Sequence, residues 1–250
     1  MNVTDDLGRT IFLKKVPERI VSLVPSLTLT MADLGMDKQL VAVTGFCKYP
    51  VNLVTMLPKV GGPKNINISK IIELKPDIVF AVKEENDREQ VLKLSKDVPV
   101  VVFDIKTPDD VFRMMQTLGE ILQQRSKSEK LIINIKEAYK HFPVKGNGAK
   151  AVYLIWKKPW MAAGKDTFIG SMLQIAGFEN IMEGRYPVVD LEILKQADEI
   201  LLATEPYHFK EKERADLRAL FPEKSVNIVN GELFTWFGTY LTDYLNNKLK

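Results

Sequence analysis

The feature that most constrains the fold of this chain is a stretch from residue 107 to residue 142 without any strand pattern. Its apolar residues recur close to the 3.6-residue period of an α-helix, first around Val111 and Met115 and again around Ile135. Pro108, a residue favoured in the first turn of a helix, marks the start. At 1.5 Å per residue, one continuous helix would be on the order of 50 Å long. The sequence therefore predicts a single long helix that joins two parts of the chain.

Strand–helix–strand patterns lie on both sides of the predicted helix. Before it, short apolar runs at 20–24, 78–82 and 98–104 alternate with helical patterns, which is typical of a parallel sheet covered by helices. After it, AVYLIWKKPWMAAGKDTFIGSMLQIAG repeats the pattern of RIVSLVPSLTLTMADLG, and LEILKQADEILLA repeats that of ISKIIELKPDIVFA. The predicted fold is α/β, with two βαβ lobes whose parallel sheets are joined by a single long backbone α-helix. The predicted domains are an N-terminal α/β lobe (1–105), a backbone helix (106–142) and a C-terminal α/β lobe (143–250).

The first strand runs directly into Pro25 and Ser26, and a helical pattern follows that ends at Gly35. A tight strand-to-helix turn presents free backbone N–H groups at the carboxyl edge of a sheet, where α/β proteins bind ligands. The alternative is a plain connection in which Ser26 is the helix N-cap. Because both halves of the chain repeat this organisation, we expect the ligand to lie between the two lobes.

Composition and motifs exclude several kinds of function. The net charge of +3, from 35 basic and 32 acidic residues, does not indicate a nucleic-acid partner. Two histidines and the single Cys47 cannot form a three-histidine or cysteine-based zinc site, so we predict no metal site of the protein's own. Walker A and GxSxG motifs are absent. We therefore predict a protein that is not an enzyme, with no catalytic residues and no catalytic cofactor.

The N-terminal segment does not predict an export signal. MNVTDDLGRTIFLKK lacks both a basic n-region and an apolar h-region. No apolar stretch reaches the roughly 18 residues that a membrane span needs. We expect a cytoplasmic protein if Met1 is the native start, and an exported one if a leader has been left out of this sequence.

Several segments together resemble one protein family. In order, they are PERIVSLVPSLT, GFCKYP, LPKVGG, ISKIIELKPDIVFA, GKDTFIGSMLQIAGFENI, EPYHF and GELFTWFG. They span nearly the whole chain and resemble the helical-backbone (class III) periplasmic substrate-binding proteins of ABC importers for cobalamin, haem and ferric siderophores. The resemblance implies a metal-chelate ligand held in the cleft between the lobes, delivery to an importer, and a location in the periplasm or cell envelope.

The resemblance also implies which residues contact the ligand, because the family grips it with loops that follow the strands. Aromatic faces bury a large flat macrocycle well and need few polar anchors. The predicted ligand-binding residues are Pro25, Ser26, Thr28, Tyr49, Asn65, Lys83, Asn86, Trp160, Met161, Tyr207, His208, Trp236 and Phe237. His208 replaces a proline common in this segment, and it is either a ligand to a haem or corrinoid metal or a solvent-facing loop residue. Trp156 belongs either to the core or to the pocket.

The chain departs from the family where its members dock on the importer. Glutamates are usual near the start of the helix before each buried strand, and the matching positions here are Ser69 and Glu192. An arginine often follows the WFG segment, where Tyr240 stands in this chain. These departures concern docking on the permease and not the predicted ligand-binding residues.

Two functions therefore stay open. The first is a substrate-binding protein that delivers a corrinoid or an iron siderophore to an ABC importer permease. The second is an intracellular chelate-binding or chaperone protein of the same fold without importer docking. Haem or an anionic siderophore would be favoured by the lysines at 48, 83, 157 and 158. In either case we expect a monomer that binds a small molecule.

Overall fold

The computed structural model describes residues 1–249 of the chain. It contains two compact units. The first consists of residues 1–105, 109–138 and 237–249, and the second of residues 106–108 and 139–236. The sequence assigns the C-terminal segment to the second lobe, whereas the structure includes it in the first unit. None of the helices in the described part of the chain has the length and apolar character needed to cross a membrane.

A four-stranded parallel sheet forms the centre of the first unit, with the strand order β4-β3-β7-β8. The strands of this unit are β1 (Asn2–Thr4), β2 (Thr10–Phe12), β3 (Ile20–Ser22), β4 (Leu40–Val43), β5 (Gly61–Gly62), β6 (Asn65–Ile66), β7 (Ile78–Val82) and β8 (Val100–Phe103). All residues of β3, β7 and β8 are buried. This burial explains their continuous apolar runs, because a parallel sheet is covered on both faces. Two short antiparallel hairpins, β1–β2 and β5–β6, complete the strands of this unit.

The predicted single long helix is wrong, because the structure divides it into two. The helices in this part of the chain are α1 (Pro25–Asp33), α2 (Val51–Val54), α3 (Ile68–Glu73), α4 (Arg88–Leu94), α5 (Pro108–Ile121) and α6 (Arg125–Lys140). Gln123 between α5 and α6 has a left-handed φ of 53°, and Gln124 N donates to the carbonyl oxygen of Gly119. This is the bonding of a helix C-terminus, not of a continuing helix. Gly119 lets the two helices meet closely, since a Cβ there would lie 2.7 Å from Ser128 Cβ.

A second parallel sheet forms the centre of the second unit. Its strands are β9 (Lys150–Trp156), β10 (Met161–Ala162), β11 (Glu179–Asn180), β12 (Glu199–Ala203) and β13 (Ser225–Val229). β12 lies between β9 and β13 and is parallel to both, and the short β10 pairs antiparallel to β9. The helices of this unit are α7 (Phe168–Ile175), α8 (Leu191–Leu194), α9 (Glu211–Leu220) and α10 (Glu232–Thr235). Both halves of the chain thus have the parallel α/β organisation predicted from the sequence.

The last helix, α11 (Tyr240–Leu245), packs on the first helix of its unit. Thr239 N lies 3.5 Å from Thr30 Oγ1 of α1. Asp33, at the end of α1, lies beside the buried Asp243 of α11, and Asp243 forms an ion pair of 3.0 Å with Lys248. Burial and, to a smaller extent, the nearby Asp243 carboxylate raise the pKa of Asp33 to about 7. Thr239 and Lys248 act to lower this pKa.

Because the pKa of Asp33 is raised in the folded protein, we expect the stability of the protein to depend on pH. A group with a higher pKa in the folded than in the unfolded chain binds more protons when folded, so its stabilisation is lost as pH rises. Between the ordinary aspartate pKa near 4 and the folded value of about 7, we expect the urea unfolding midpoint to fall with increasing pH. Asp33→Asn is expected to flatten this part of the profile. A wild-type midpoint that rises over the same range would contradict the interpretation.

Candidate functional site

The first turn of α1 lies at the carboxyl edge of the first sheet, directly after β3. Its N-cap is Val24, whose extended backbone (φ −138°, ψ 135°) carries no side-chain cap, and Pro25 is the first helical residue. The alternative in which Ser26 is the N-cap is therefore wrong, since Ser26 lies inside the helix and is 3% exposed. The positive end of a helix dipole at this edge favours electron-rich ligand groups.

Thr28 is placed in the core, not on a ligand-facing surface. It has no exposed area, and its hydroxyl donates to Ser22 Oγ (2.8 Å) and lies 3.2 Å from Cys47 Sγ. Thr44 Oγ1 is 3.4 Å from the same sulfur. Burial raises the pKa of the Cys47 thiol, although the hydroxyl contacts oppose the change. The predicted anchor Thr28 thus ties the β3–α1 turn to the loop after β4.

Asn86 is likewise committed to the protein backbone. It is 5% exposed, its Oδ1 accepts from Val82 N (2.8 Å), and its Nδ2 donates to the carbonyl oxygen of Pro63 (3.0 Å). The neighbouring Lys83 forms an ion pair with Asp104 at 2.5 Å and stays substantially exposed. At this edge Asn86 therefore organises two loops, while Lys83 presents a cation to solvent.

The loop after β4 contributes aromatic surface. Tyr49 is half-buried and its ring centroid lies 6.4 Å from that of Tyr240. The predicted anchor Asn65 is exposed on β6. Phe46 was missed by the sequence analysis, although it is 64% exposed and lies against Gly62, where a Cβ would be 3.1 Å from Phe46 Cε2. The sequence feature that could have indicated Phe46 is its large apolar side chain within the motif GFCKYP.

In the second unit, four rings form a connected set that we name the aromatic ladder: Trp156, Tyr207, Phe209 and Trp160. Trp156 and Tyr207 meet edge to face with centroids 5.5 Å apart, and Tyr207 and Phe209 are 4.6 Å apart. Phe209 stacks on Trp160 at 5.9 Å with the ring planes only 6° apart. The aromatic ladder therefore begins at Trp160, passes through the buried Phe209 (1% exposed) and ends at Trp156 (43% exposed). It follows the carboxyl ends of β9 and β12.

A cation and a thioether lie beside the aromatic ladder. Lys157 Nζ is 5.6 Å from the centroid of Trp160 and pairs with Glu213 at 3.1 Å. Met161 is half-buried and begins β10, where it is paired with Trp156. His208 is exposed, and its Nδ1 lies 3.0 Å from the carbonyl oxygen of Thr204. The structure thus brings the predicted Trp160, Met161 and Tyr207 together near Trp156. It places the exposed His208 in the loop after β12, in contact with the Thr204 carbonyl oxygen.

Trp236 and Phe237 do not present ligand-binding surface in this structure. Trp236 is 7% exposed and Phe237 4% exposed. Trp236 directly follows α10, whose Phe234 packs on Phe142 and Tyr153. The sequence places both residues in a loop beside glycine, but it contains no signal that distinguishes a buried loop aromatic from an exposed one.

Ser69 and Glu192, the positions expected to dock on an importer, occupy equivalent places. Each is the second residue of a short helix, α3 or α8, and each is exposed. Asn67 caps α3 and Asp190 caps α8 through the same side chain–backbone bond. Glu192 also pairs with Lys195 at 2.6 Å.

The chemistry available at these edges is that of ligand binding. Among residues 1–249, no group of three or more histidine, cysteine, aspartate or glutamate side chains is arranged to hold a metal ion. In the second unit, the aromatic ladder with Lys157 beside it is suited to a ligand with apolar faces and electron-rich substituents. In the first unit, the N-terminus of α1 is suited to electron-rich groups.

Comparison with known proteins agrees with this description. A family model described as periplasmic binding protein matches residues 20–216. An uncharacterized ABC transporter substrate-binding lipoprotein of Bacillus subtilis is 28% identical over 230 residues, which cover 86% of this chain and 73% of that protein. A vitamin B12-binding protein of Pectobacterium carotovorum is 26% identical over 202 residues, covering 76% of this chain and 73% of the relative.

Solved structures share the fold. A possible iron-binding (periplasmic solute-binding) protein from Staphylococcus epidermidis superposes with a TM-score of 0.76 at 22% identity, covering 94% of this chain and 98% of that one. A periplasmic heme-binding protein from Pseudomonas aeruginosa gives a TM-score of 0.75 at 20% identity, covering 92% of this chain and 90% of its own.

Proposed function

The chain belongs to the periplasmic binding protein family, and from this premise we propose that it is the substrate-binding protein of an ABC importer for a metal chelate. The ligand classes that we consider are a corrinoid, haem and an iron siderophore. Relatives named as vitamin B12-binding and as a substrate-binding lipoprotein support this function and a location in the cell envelope. The protein would capture and deliver its ligand without chemical turnover.

The aromatic ladder is the observation that supports a metal chelate as the ligand. Its outer ring, Trp156, is 43% exposed at the carboxyl end of β9, in contact with Tyr207. Contact of the exposed Trp156 ring with water is unfavourable in free energy. A flat apolar ligand that covers the ring removes this contact and is thereby bound. The ion pair of Lys157 with Glu213 lies beside Trp160 and adds polar groups next to the rings. A planar metal chelate with polar substituents fits this combination.

A chelate-binding protein without importer docking is the second candidate, and one observation favours it. Ser69 occupies the helix position on α3 that Glu192 occupies on α8, so only one of the two expected docking glutamates is present. Recovery of a permease with the cross-linked wild-type protein, and its loss in Glu192→Ala, would favour the importer. Cross-linking to no permease would favour the second candidate.

The ligand-binding proposal is tested by calorimetric titration with cyanocobalamin, haemin and ferrichrome. We expect at least one probe to bind with a Kd on the order of 1 μM or below, as a specific site requires. Trp156→Ala is expected to weaken that binding by about tenfold or more, because it removes the exposed ring of the aromatic ladder. Leu220→Ala is the control, since Leu220 is 58% exposed in the same unit but ends α9 just before β13, at the opposite edge of the sheet.

The first unit is tested in the same titration by two matched phenylalanines. Phe46 and Phe12 are both 64% exposed. Phe46 belongs to the loop after β4, whereas Phe12 lines a cavity with Val98 and Pro99, before the start of β8. Phe46→Ala is expected to weaken binding about tenfold, and Phe12→Ala is expected to leave the affinity unchanged. Equal effects in the two variants, or wild type binding none of the probes, would overturn the assignment.

A further inference from the structure

Three tyrosine rings are in contact in the first unit. Tyr49, in the loop after β4, is half-buried, and its ring centroid lies 6.4 Å from that of Tyr240, with the ring planes 49° apart. Tyr240, which is only 2% exposed, in turn stacks on Tyr244, with centroids 6.3 Å apart and planes 25° apart. Aromatic pairs at these distances favour a defined mutual orientation. The last helix therefore supplies a buried ring that contacts Tyr49, a predicted ligand-binding residue.

The ring of Tyr240 is held in place because its helix is fixed on α1. Tyr240 is the first residue of α11, and Gly238 approaches Thr30 so closely that an added Cβ would overlap Thr30 Oγ1. Farther along α11, the buried Asp243 lies beside Asp33 of α1. Helix α11 is thus attached to α1 at two places, which defines the position of the Tyr240 ring within the first unit.

The backbone on both sides of Tyr49 is also fixed. Cys47 N donates to the carbonyl oxygen of Thr44 (3.2 Å), and Val54 N donates to that of Pro50 (3.0 Å) in the short helix α2. With the backbone fixed, the remaining freedom of Tyr49 is rotation of its side chain, and contact with the buried ring of α11 restricts that rotation. A side chain that is oriented before the ligand arrives loses less conformational entropy on binding.

Tyr49 belongs to the same edge of the sheet as the turn that begins α1. Its loop follows β4, α1 follows β3, and the two strands are parallel neighbours. The carboxyl edge of a parallel sheet is where α/β proteins bind ligands. Helix α11 therefore contacts both elements that contribute to this edge, α1 directly and the loop after β4 through Tyr240.

We propose that Tyr240 is a positioning residue for ligand binding, because its ring holds Tyr49 in the orientation in which the exposed part of Tyr49 meets the bound chelate. Tyr240 does not need to touch the chelate, since it is almost fully buried. The C-terminal helix is thereby part of the binding machinery of the first unit. This inference rests on the proposed function and adds to it a residue whose role is to orient another.

A double-mutant cycle on affinity tests the proposal. The full chain is titrated calorimetrically with whichever of cyanocobalamin, haemin and ferrichrome the wild-type protein binds most tightly. Tyr240→Leu is expected to weaken binding about threefold to tenfold, because the freed Tyr49 side chain must then be ordered on binding. In a Tyr49→Ala background, Tyr240→Leu is expected to have no further effect on affinity, whereas independent residues would give losses that multiply.

Further variants separate positioning from a general loss of stability. Tyr240→Phe keeps the ring and is expected to retain the wild-type affinity. Leu241→Ala truncates a side chain that is 3% exposed in the same helix, so it is expected to lower the urea unfolding midpoint. Because Leu241 has no ring to contact Tyr49, its truncation is expected to leave the affinity unchanged. If Tyr240→Leu does not fold by circular dichroism, Tyr240→Met replaces it in the cycle, since the flexible methionine fills the space without a ring.

The outcomes distinguish this inference from the proposed function. If the wild-type protein binds a probe but the losses from Tyr240→Leu and Tyr49→Ala multiply in the double variant, Tyr240 does not act through Tyr49. The inference is then wrong, while chelate binding stands. An equal loss of affinity in Leu241→Ala would also overturn it, because helix stability and not the ring contact would be the cause. If the wild-type protein binds none of the three probes, the proposed function fails, and the inference fails with it.

Discussion

Replacing Trp236 with alanine is expected to lower the free energy of unfolding by about 3 to 5 kcal/mol, the range found for buried tryptophan and phenylalanine. Trp236 is 7% exposed, so the truncation would leave a cavity that the surrounding chain can only partly fill. The sequence interpretation of Trp236 as a pocket residue predicts the opposite: weaker ligand binding without loss of stability. Urea unfolding of the ligand-free protein, followed by circular dichroism, measures the difference directly.

Trp156→Ala is the matched control, because it makes the same substitution at a tryptophan that is 43% exposed in the same unit. Its expected effect on the unfolding midpoint is small, while its effect on chelate affinity is large. If Trp236→Ala and Trp156→Ala change the midpoint equally, the burial of Trp236 does not hold in solution. That outcome would support the sequence-based prediction that Trp236 binds the ligand.

Replacing Gly238 with alanine is expected to lower the free energy of unfolding by about 2 to 5 kcal/mol. Its φ of 72° is a left-handed conformation that costs an ordinary residue roughly 1 to 2 kcal/mol. A Cβ at this position would also overlap Thr30 Oγ1, and overpacking of this kind costs about 1 to 3 kcal/mol. Since Gly238 leads into α11, the main consequence would be looser packing of the C-terminal segment on α1.

Two further variants separate backbone strain from steric overlap at Gly238. Gly8 has a similar φ of 74° with no atom within 4 Å of an added Cβ, so Gly8→Ala is expected to show the strain alone. Adding Thr30→Ala to Gly238→Ala removes the overlapping hydroxyl and is expected to recover part of the lost stability. An effect of Gly238→Ala no larger than that of Gly8→Ala would contradict the close contact. Urea unfolding of the four proteins provides these comparisons.

The candidate site was only partly predictable, and the reason is the same at each position. Ser26, Thr28 and Asn86 have the polar side chains that a ligand anchor needs, but the protein uses Thr28 and Asn86 for its own hydrogen bonds. Conversely, Phe46 was overlooked because an apolar residue in a loop is compatible with either burial or exposure. Residue type shows what a side chain can bind; its neighbours decide whether it is free to do so.

The sequence by itself determined the fold class and the order of its elements. Continuous apolar runs such as those of β7 and β12 require burial on both faces, and their alternation with helical periodicity leaves a parallel sheet as the solution. The motifs along the chain were likewise sufficient to indicate the family, because each of them is local.

Tertiary structure decided three other matters. It divided the expected long helix at Gln123, where a left-handed residue and the close approach of Gly119 to Ser128 end α5. It placed the C-terminal segment in the first unit, where Thr239 contacts Thr30, a residue more than two hundred positions earlier in the chain. It also buried Trp236 and exposed Trp156. All three depend on contacts between residues distant in sequence or on the space available around a side chain, and periodicity and residue type carry no information about either.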